Sequence, residues 1–89
     1  AAAKQKMSKE EQSLIDNIED AIETAGTDDE GWARLSEVGT ALRRIDPGFD
    51  PRSYGAKQLA SVIRNRKNYF EIKKLTGKST IVVRTRDED

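Results

Sequence analysis

Lys57, Ser61, Arg64 and Asn68 recur at intervals of four, three and four residues. On a helix that spacing draws a nearly straight stripe. The stripe offers two cations and two hydrogen-bonding groups and no carboxylate, although the chain is rich in acid. Such a set suits an anionic polymer, because lysine and arginine contacts to phosphate supply most of the affinity for nucleic acid. It does not suit covalent chemistry. The chain has no histidine and no cysteine, which excludes histidine-based acid–base catalysis and thiol nucleophiles. No glycine-rich loop able to cradle phosphate is present either. An ordinary solvated helix face is the alternative reading of the stripe.

The charge distribution favours the anionic partner. Residues 1–50 hold 6 Lys/Arg and 12 Asp/Glu, a net of −6, whereas residues 51–89 hold 10 and 4, a net of +6. The formal net charge of zero hides this division, which points to an anionic ligand for the basic half. Internal neutralisation of one half by the other is the competing explanation.

The elements that must position the stripe can be read in order. Ser8 followed by Glu11 fits a capping box. Leu14, Ile15, Ile18, Ala21, Ile22 and Ala25 then form an apolar stripe, and Gly26 supplies a left-handed stop. A first helix is expected over Lys9–Ala25, with Asp16, Glu19, Asp20 and Glu23 on a solvated outer face. Asp28, Asp29 and Glu30 lie in a loop that lacks the alternating ligand spacing of an EF-hand. Trp32–Leu35 reads as a short strand, with Trp32 a core or hinge anchor rather than a stacking platform. Ser36 is expected to cap a second helix from Glu37 to about Ile45, with Leu35, Val38, Leu42 and Ile45 facing the core. Gly39 inside it suggests close approach of another backbone. Asp46–Pro51 is a run of turn chemistry, with Phe49 plugging the core beneath.

The third helix, from about Ser53 to Arg66, buries Ala56, Leu59, Ala60, Val62 and Ile63 and carries the stripe on its other side. Tyr69–Leu75 and Thr80–Arg86 read as strands joined by Thr76-Gly77-Lys78-Ser79, a hairpin. A hairpin alone is marginal and needs a helical face behind it. The order specifies an α+β fold, a winged helix-turn-helix of three helices and a small antiparallel sheet with a β-hairpin wing. The Trp32–Leu35 strand can add to the hairpin's edge. The wing brings Lys73, Lys74, Lys78, Arg84 and Arg86 toward the third helix.

Length and composition agree with this. Eighty-nine residues, 35% hydrophobic and 36% charged, make one domain with a small core. Residues 8–86 form that domain, residues 1–7 are expected to be a flexible segment, and residues 87–89 a frayed acidic tail. The absence of cysteine suits a reducing, cytoplasmic setting. No apolar run approaches the roughly 18–20 residues of a membrane span, and no signal-peptide pattern is present. No metal or other cofactor is expected. The start at AAAKQKM suggests a domain excised from a longer protein.

The run GWARLSEVGTALRRIDPGFDPRSYGAKQLASVIRNRKNYFEI resembles the LOTUS domain, also called the OST-type helix-turn-helix. The matching features are Leu35, Val38 and Gly39, the turn around Pro47 and Phe49, the Tyr54-Gly55 pair, and the Leu59–Ile63 segment leading to Phe70. Together they cover about Trp32 to Val83. In bacteria the family resembles a C-terminal module attached to NYN-type nuclease-like domains, and this sequence is closer to that branch. The resemblance implies RNA binding with a preference for G-rich and G-quadruplex RNA. One subset binds a DEAD-box helicase through a C-terminal extension absent from this sequence, so a helicase partner is not expected.

The expected nucleic-acid-binding residues are Arg52, Tyr54, Lys57, Ser61, Arg64, Asn68, Lys73, Lys74, Lys78 and Arg84. Tyr54 or Tyr69 could stack on a base, although a half-buried Tyr54 with its hydroxyl satisfied is the more ordinary arrangement. A DNA-binding winged helix and a protein-interaction adaptor using the acidic first helix or Arg43–Arg44 are the alternatives. Any catalysis would belong to another domain.

Overall fold

The computed structural model describes residues 8–75, 77 and 79–86. The expected flexible segment 1–7, the acidic tail 87–89 and Lys78 of the wing lie outside the described residues.

Helix α1 spans Lys9–Ala25, as its caps and apolar period predict. The Ser8 hydroxyl accepts the Glu11 N–H at 3.1 Å. The reciprocal half of the capping box is absent, because both Glu11 carboxylate oxygens turn to Arg66. Leu14, Ile15, Ile18, Ala21 and Ile22 are buried. Gly26 ends the helix at φ 89° and ψ 133°. This is a positive-φ, extended stop rather than the left-handed helical one expected, and it still favours a residue without Cβ.

Strand β1 is only Ala33–Arg34, and α2 follows at once over Leu35–Ile45. The helix therefore starts two residues before the expected position, and Arg34, not Ser36, stands at its N-cap without a side-chain bond. Ser36 falls inside the first turn, where its carbonyl accepts the Thr40 hydroxyl at 3.1 Å. Glu37 at the start and Arg43 and Arg44 at the end suit the helix dipole. Val38, Ala41 and Leu42 are buried, but Ile45 is 37% exposed. The apolar stripe thus leaves the core by the last turn. At Gly39 an added Cβ would meet Leu59 Cδ2 at 3.6 Å, an ordinary side-chain contact instead of the close backbone approach expected.

The expected third helix breaks in two. Pro51–Tyr54 form a 3₁₀ turn started by the Asp50 carboxylate, which accepts the Arg52 N–H at 3.0 Å. Gly55 then sits in the left-handed region at φ 75° and ψ 23°, a stop within the apolar period. Helix α3 is Leu59–Arg64, six residues long. Ala56 is buried although it precedes α3. The spacing of apolar residues had reported burial, and burial alone does not require one continuous helix. After Arg64 the chain descends through turns, with Arg66 C=O accepting the N–H groups of Tyr69 and Phe70.

Strands β2, Phe70–Lys74, and β3, Ile81–Thr85, form the wing. The sheet order is β1-β3-β2, antiparallel throughout, so β1 does join the hairpin. One core links Ile18 of α1, Leu42 of α2, Ile63 of α3, and Phe70 and Val83 of the sheet. The result is a winged helix-turn-helix: three helices on a three-stranded antiparallel sheet. Among the described residues no polar side chain is buried, and no helix is long and apolar enough to cross a membrane.

Candidate nucleic-acid interface

Side chains alternate across a strand, and the register decides which face each takes. Ala33 pairs with Val83, and both are buried. One step along, Trp32 comes opposite Arg84, while Arg84 pairs with Glu71 on its other side. Trp32, Arg84, Glu71 and Lys73 thus share the sheet face turned away from the helices.

Trp32 is consequently not the core anchor expected of it. It is half-buried, and Ala33 takes the inward position beside it. Lys73 Nζ lies 4.3 Å and Arg84 Cζ 4.6 Å from its ring centroid. Contacts of this kind contribute about 0.5–1 kcal/mol at exposed sites. Arg84 is further fixed by a 3.2 Å ion pair to Glu71 and a 3.0 Å bond to the Glu30 carbonyl. The loop before Trp32 is closed by Asp28. Its carboxylate accepts the Glu30 N–H at 2.8 Å and the Trp32 N–H at 2.9 Å. The Trp32 N–H is the main cause that holds the Asp28 carboxyl below its ordinary pKa of 3.8, with the Glu30 N–H and the Lys73 charge adding to it against a smaller desolvation effect.

Beside Trp32 runs a groove of about 480 Å³ between the end of α3 and β2. Among the described residues Arg64, Lys67, Lys73 and Arg86 line it with a single carboxylate, Glu71, which already pairs with Arg84. Phe70 and Ile72 contribute to its wall. A second groove of about 440 Å³, where Arg34 and Ser36 meet Ser79 and Thr80, carries one cation.

Nine of the ten expected site residues, all but Lys78, lie among the described residues and divide between these surroundings. Arg64 and Lys73 are exposed and line the basic groove. Arg84 borders it through Glu71 and Trp32. Lys57 is exposed in the loop before α3, and Asn68 in the turns after it. The supposed helical stripe is therefore not one stripe, since only Ser61 and Arg64 belong to α3. Ser61 is half-buried. Arg52 is exposed in the 3₁₀ turn. Tyr54 is half-buried, stacked on Phe49 with centroids 5.9 Å apart at 21°, and Arg66 lies 5.7 Å from its centroid. Lys74 is exposed on β2 but alternates with Lys73, on the Phe70–Ile72 side.

Sequence reasoning missed three groove residues: Trp32 as a surface ring, Lys67 and Glu71. It placed Arg86 in the wing without giving it a role. The missed signal was strand alternation: once Ala33 faces inward, its neighbours Trp32 and Arg34 must face outward.

The solution NMR structure of an uncharacterized protein from Nitrosomonas europaea is similar, with a TM-score of 0.71 and 29% sequence identity, over 84% of this chain and 74% of that one. No curated protein gives a significant match. The family model of the OST-HTH/LOTUS domain matches residues 5–82. Nearly the whole winged fold falls within that span, and the chain belongs to the OST-HTH/LOTUS family of non-catalytic, RNA-associated nucleic-acid-binding domains.

Proposed function

We propose that this domain binds RNA, with a preference for G-rich and quadruplex-forming RNA, as the non-catalytic module of a larger cytoplasmic protein of the NYN-associated kind. One observation carries the reading. Arg64, Lys67, Lys73 and Arg86 converge on one groove whose one carboxylate among the described residues is engaged by Arg84. That arrangement leaves an excess of positive potential beside an aromatic ring, which suits phosphate neutralisation joined to base contacts. Lys57, Asn68, Arg52, Lys74 and Lys78 are the further contacts of this reading, beyond the groove itself.

Duplex DNA is the less suitable ligand. At about 1.5 Å per residue, the six residues of α3 extend only about 9 Å. A recognition helix reads a major groove with several side chains along its length, and α3 offers Ser61 and Arg64. RNA with exposed bases asks less of the helix and more of the groove.

Titration of a guanine-rich RNA in potassium, where it folds, and in lithium, where it does not, at matched ionic strength tests the proposal. The folded form should bind more tightly, with an excess that persists as salt is raised. Pure phosphate contact would instead give a slope of about −0.7 in log K against log salt per phosphate contacted on a single strand. Indistinguishable affinities in the two cations would remove the quadruplex preference. Arg64→Glu should weaken binding and Asp20→Lys on α1 should not.

A further inference from the structure

The sole tryptophan of the chain stands at the edge of the basic groove in an arrangement that core packing does not explain. Its neighbour Ala33 fills the inward position, so Trp32 adds nothing to the main core. Yet its position is specified from three sides. Asp28 binds its backbone N–H, the Asp28 N–H binds its carbonyl at 2.9 Å, and the Arg84 guanidinium lies against its ring. Arg84 is itself tied to Glu71 and to the Glu30 carbonyl. A large apolar ring held this firmly on a solvated sheet face is preorganised for a contact.

The two cations on the ring differ in how easily they move. Arg84 is half-buried and anchored by its two other partners. Lys73 is exposed and ends in a compact charge on a flexible stem. It covers the indole at 4.3 Å and also lines the groove with Arg64 and Lys67. A planar base can displace the Lys73 ammonium from the ring while that ammonium swings to the phosphate the base carries. The aromatic surface then stays covered and the charge stays paired.

We propose that Trp32 is the base-stacking platform of the domain, taking one unpaired nucleotide of RNA from a strand end or loop, with Lys73 as its displaceable cover and Arg84 as the residue that positions the ring. This rests on the groove being an RNA site, and it goes further. The groove would distinguish exposed bases from a bare phosphate backbone and from a blunt duplex.

The 89-residue chain can be titrated with a short oligouridine, an abasic ribose-phosphate oligomer of the same length, and a blunt RNA duplex. Stacking predicts that oligouridine quenches tryptophan fluorescence and binds about 5- to 150-fold more tightly than the abasic oligomer. Trp32→Leu should remove the difference between oligouridine and the abasic oligomer. Trp32→Phe should retain part of the difference. The fluorescence result on the unaltered protein stands even if Trp32→Leu folds poorly. Equal affinity for oligouridine and the abasic oligomer overturns the stacking proposal while keeping the phosphate-binding groove. A base preference that survives Trp32→Leu in a folded variant also overturns it. Failure of all three ligands to bind overturns the RNA site itself and the proposal with it.

Discussion

Arg66 belongs to the basic half of the chain, but its surroundings predict a role in stability. Its guanidinium donates to both oxygens of Glu11 on α1, at 2.9 Å for Nη2–Oε1. It also donates to the Val62 carbonyl of α3 at 2.8 Å and lies 5.7 Å from the Tyr54 ring centroid. Arg66→Ala removes all of these together. Bonds to a charged partner contribute about 1.5–3 kcal/mol when well shielded, but the Glu11 side chain is 30% exposed against 12% for Arg66. Water will therefore recover much of the loss at Glu11, and the pair is discounted to about 1 kcal/mol. The Val62 bond and the Tyr54 contact add about 0.5 kcal/mol each, at the low end of their ranges. The expected destabilisation is about 2 kcal/mol, or a fall of roughly 8–16 °C in Tm for a domain of this size. Thermal melts of Arg66→Ala, Glu11→Ala and the double variant provide the assay. The cycle should show a coupling of about 1 kcal/mol. Additive effects within about 0.3 kcal/mol, or an Arg66→Ala melt unchanged from wild type, would refute the reasoning. Below its melting transition Arg66→Ala should bind RNA nearly as wild type does, in contrast to Arg64→Glu.

Other perturbations probe the remaining elements. Leu42→Ala and Ile63→Ala remove side chains that are almost wholly buried, and each should cost about 2–5 kcal/mol in denaturant unfolding. Gly55→Ala places a Cβ in open space but at φ 75°, so chemical denaturation should show a loss of about 1–2 kcal/mol from backbone strain alone. Asp28 has a folded pKa lowered below 3.8, so its contribution is complete above that value and is lost as pH falls through the lowered one. Tryptophan fluorescence of the wild type should change in that acid window, and Asp28→Asn should shift or abolish the change.

The elements with strong local signals were the most legible. Helix α1 has a serine cap, a five-residue buried stripe and a glycine stop, and its bounds coincide with those expected. The wing strands shortened by a residue at each end but kept their order. The third helix misled because Ala56, Leu59, Ala60, Val62 and Ile63 follow a helical period that the backbone does not. Gly55 in its left-handed conformation was the available warning. The candidate site was legible as a charge bias and, in Arg64, Lys73 and Arg84, as individual residues. It was not legible as a groove. The face that Trp32 takes depends on the pairing of β1 with a strand near the other end of the chain, which no local pattern reports. The charge bias was also ambiguous by itself: Glu11–Arg66 joins the acidic and basic halves, but exposed Arg64 and Lys73 remain on the basic groove.

The pairing of Ala33 with Val83 has a consequence for biosynthesis. The two residues are fifty positions apart, and chains emerge from the ribosome at about 5–20 residues per second. Once Ala33 has been made, roughly 3–10 s pass before the residue that completes its backbone bonding exists. During that interval α1 and α2 can form and pack, but Trp32 and the basic groove cannot be assembled. The nascent chain would therefore acquire its acidic surface first and its basic groove last. Premature capture of RNA by a half-made domain is disfavoured by the order of synthesis.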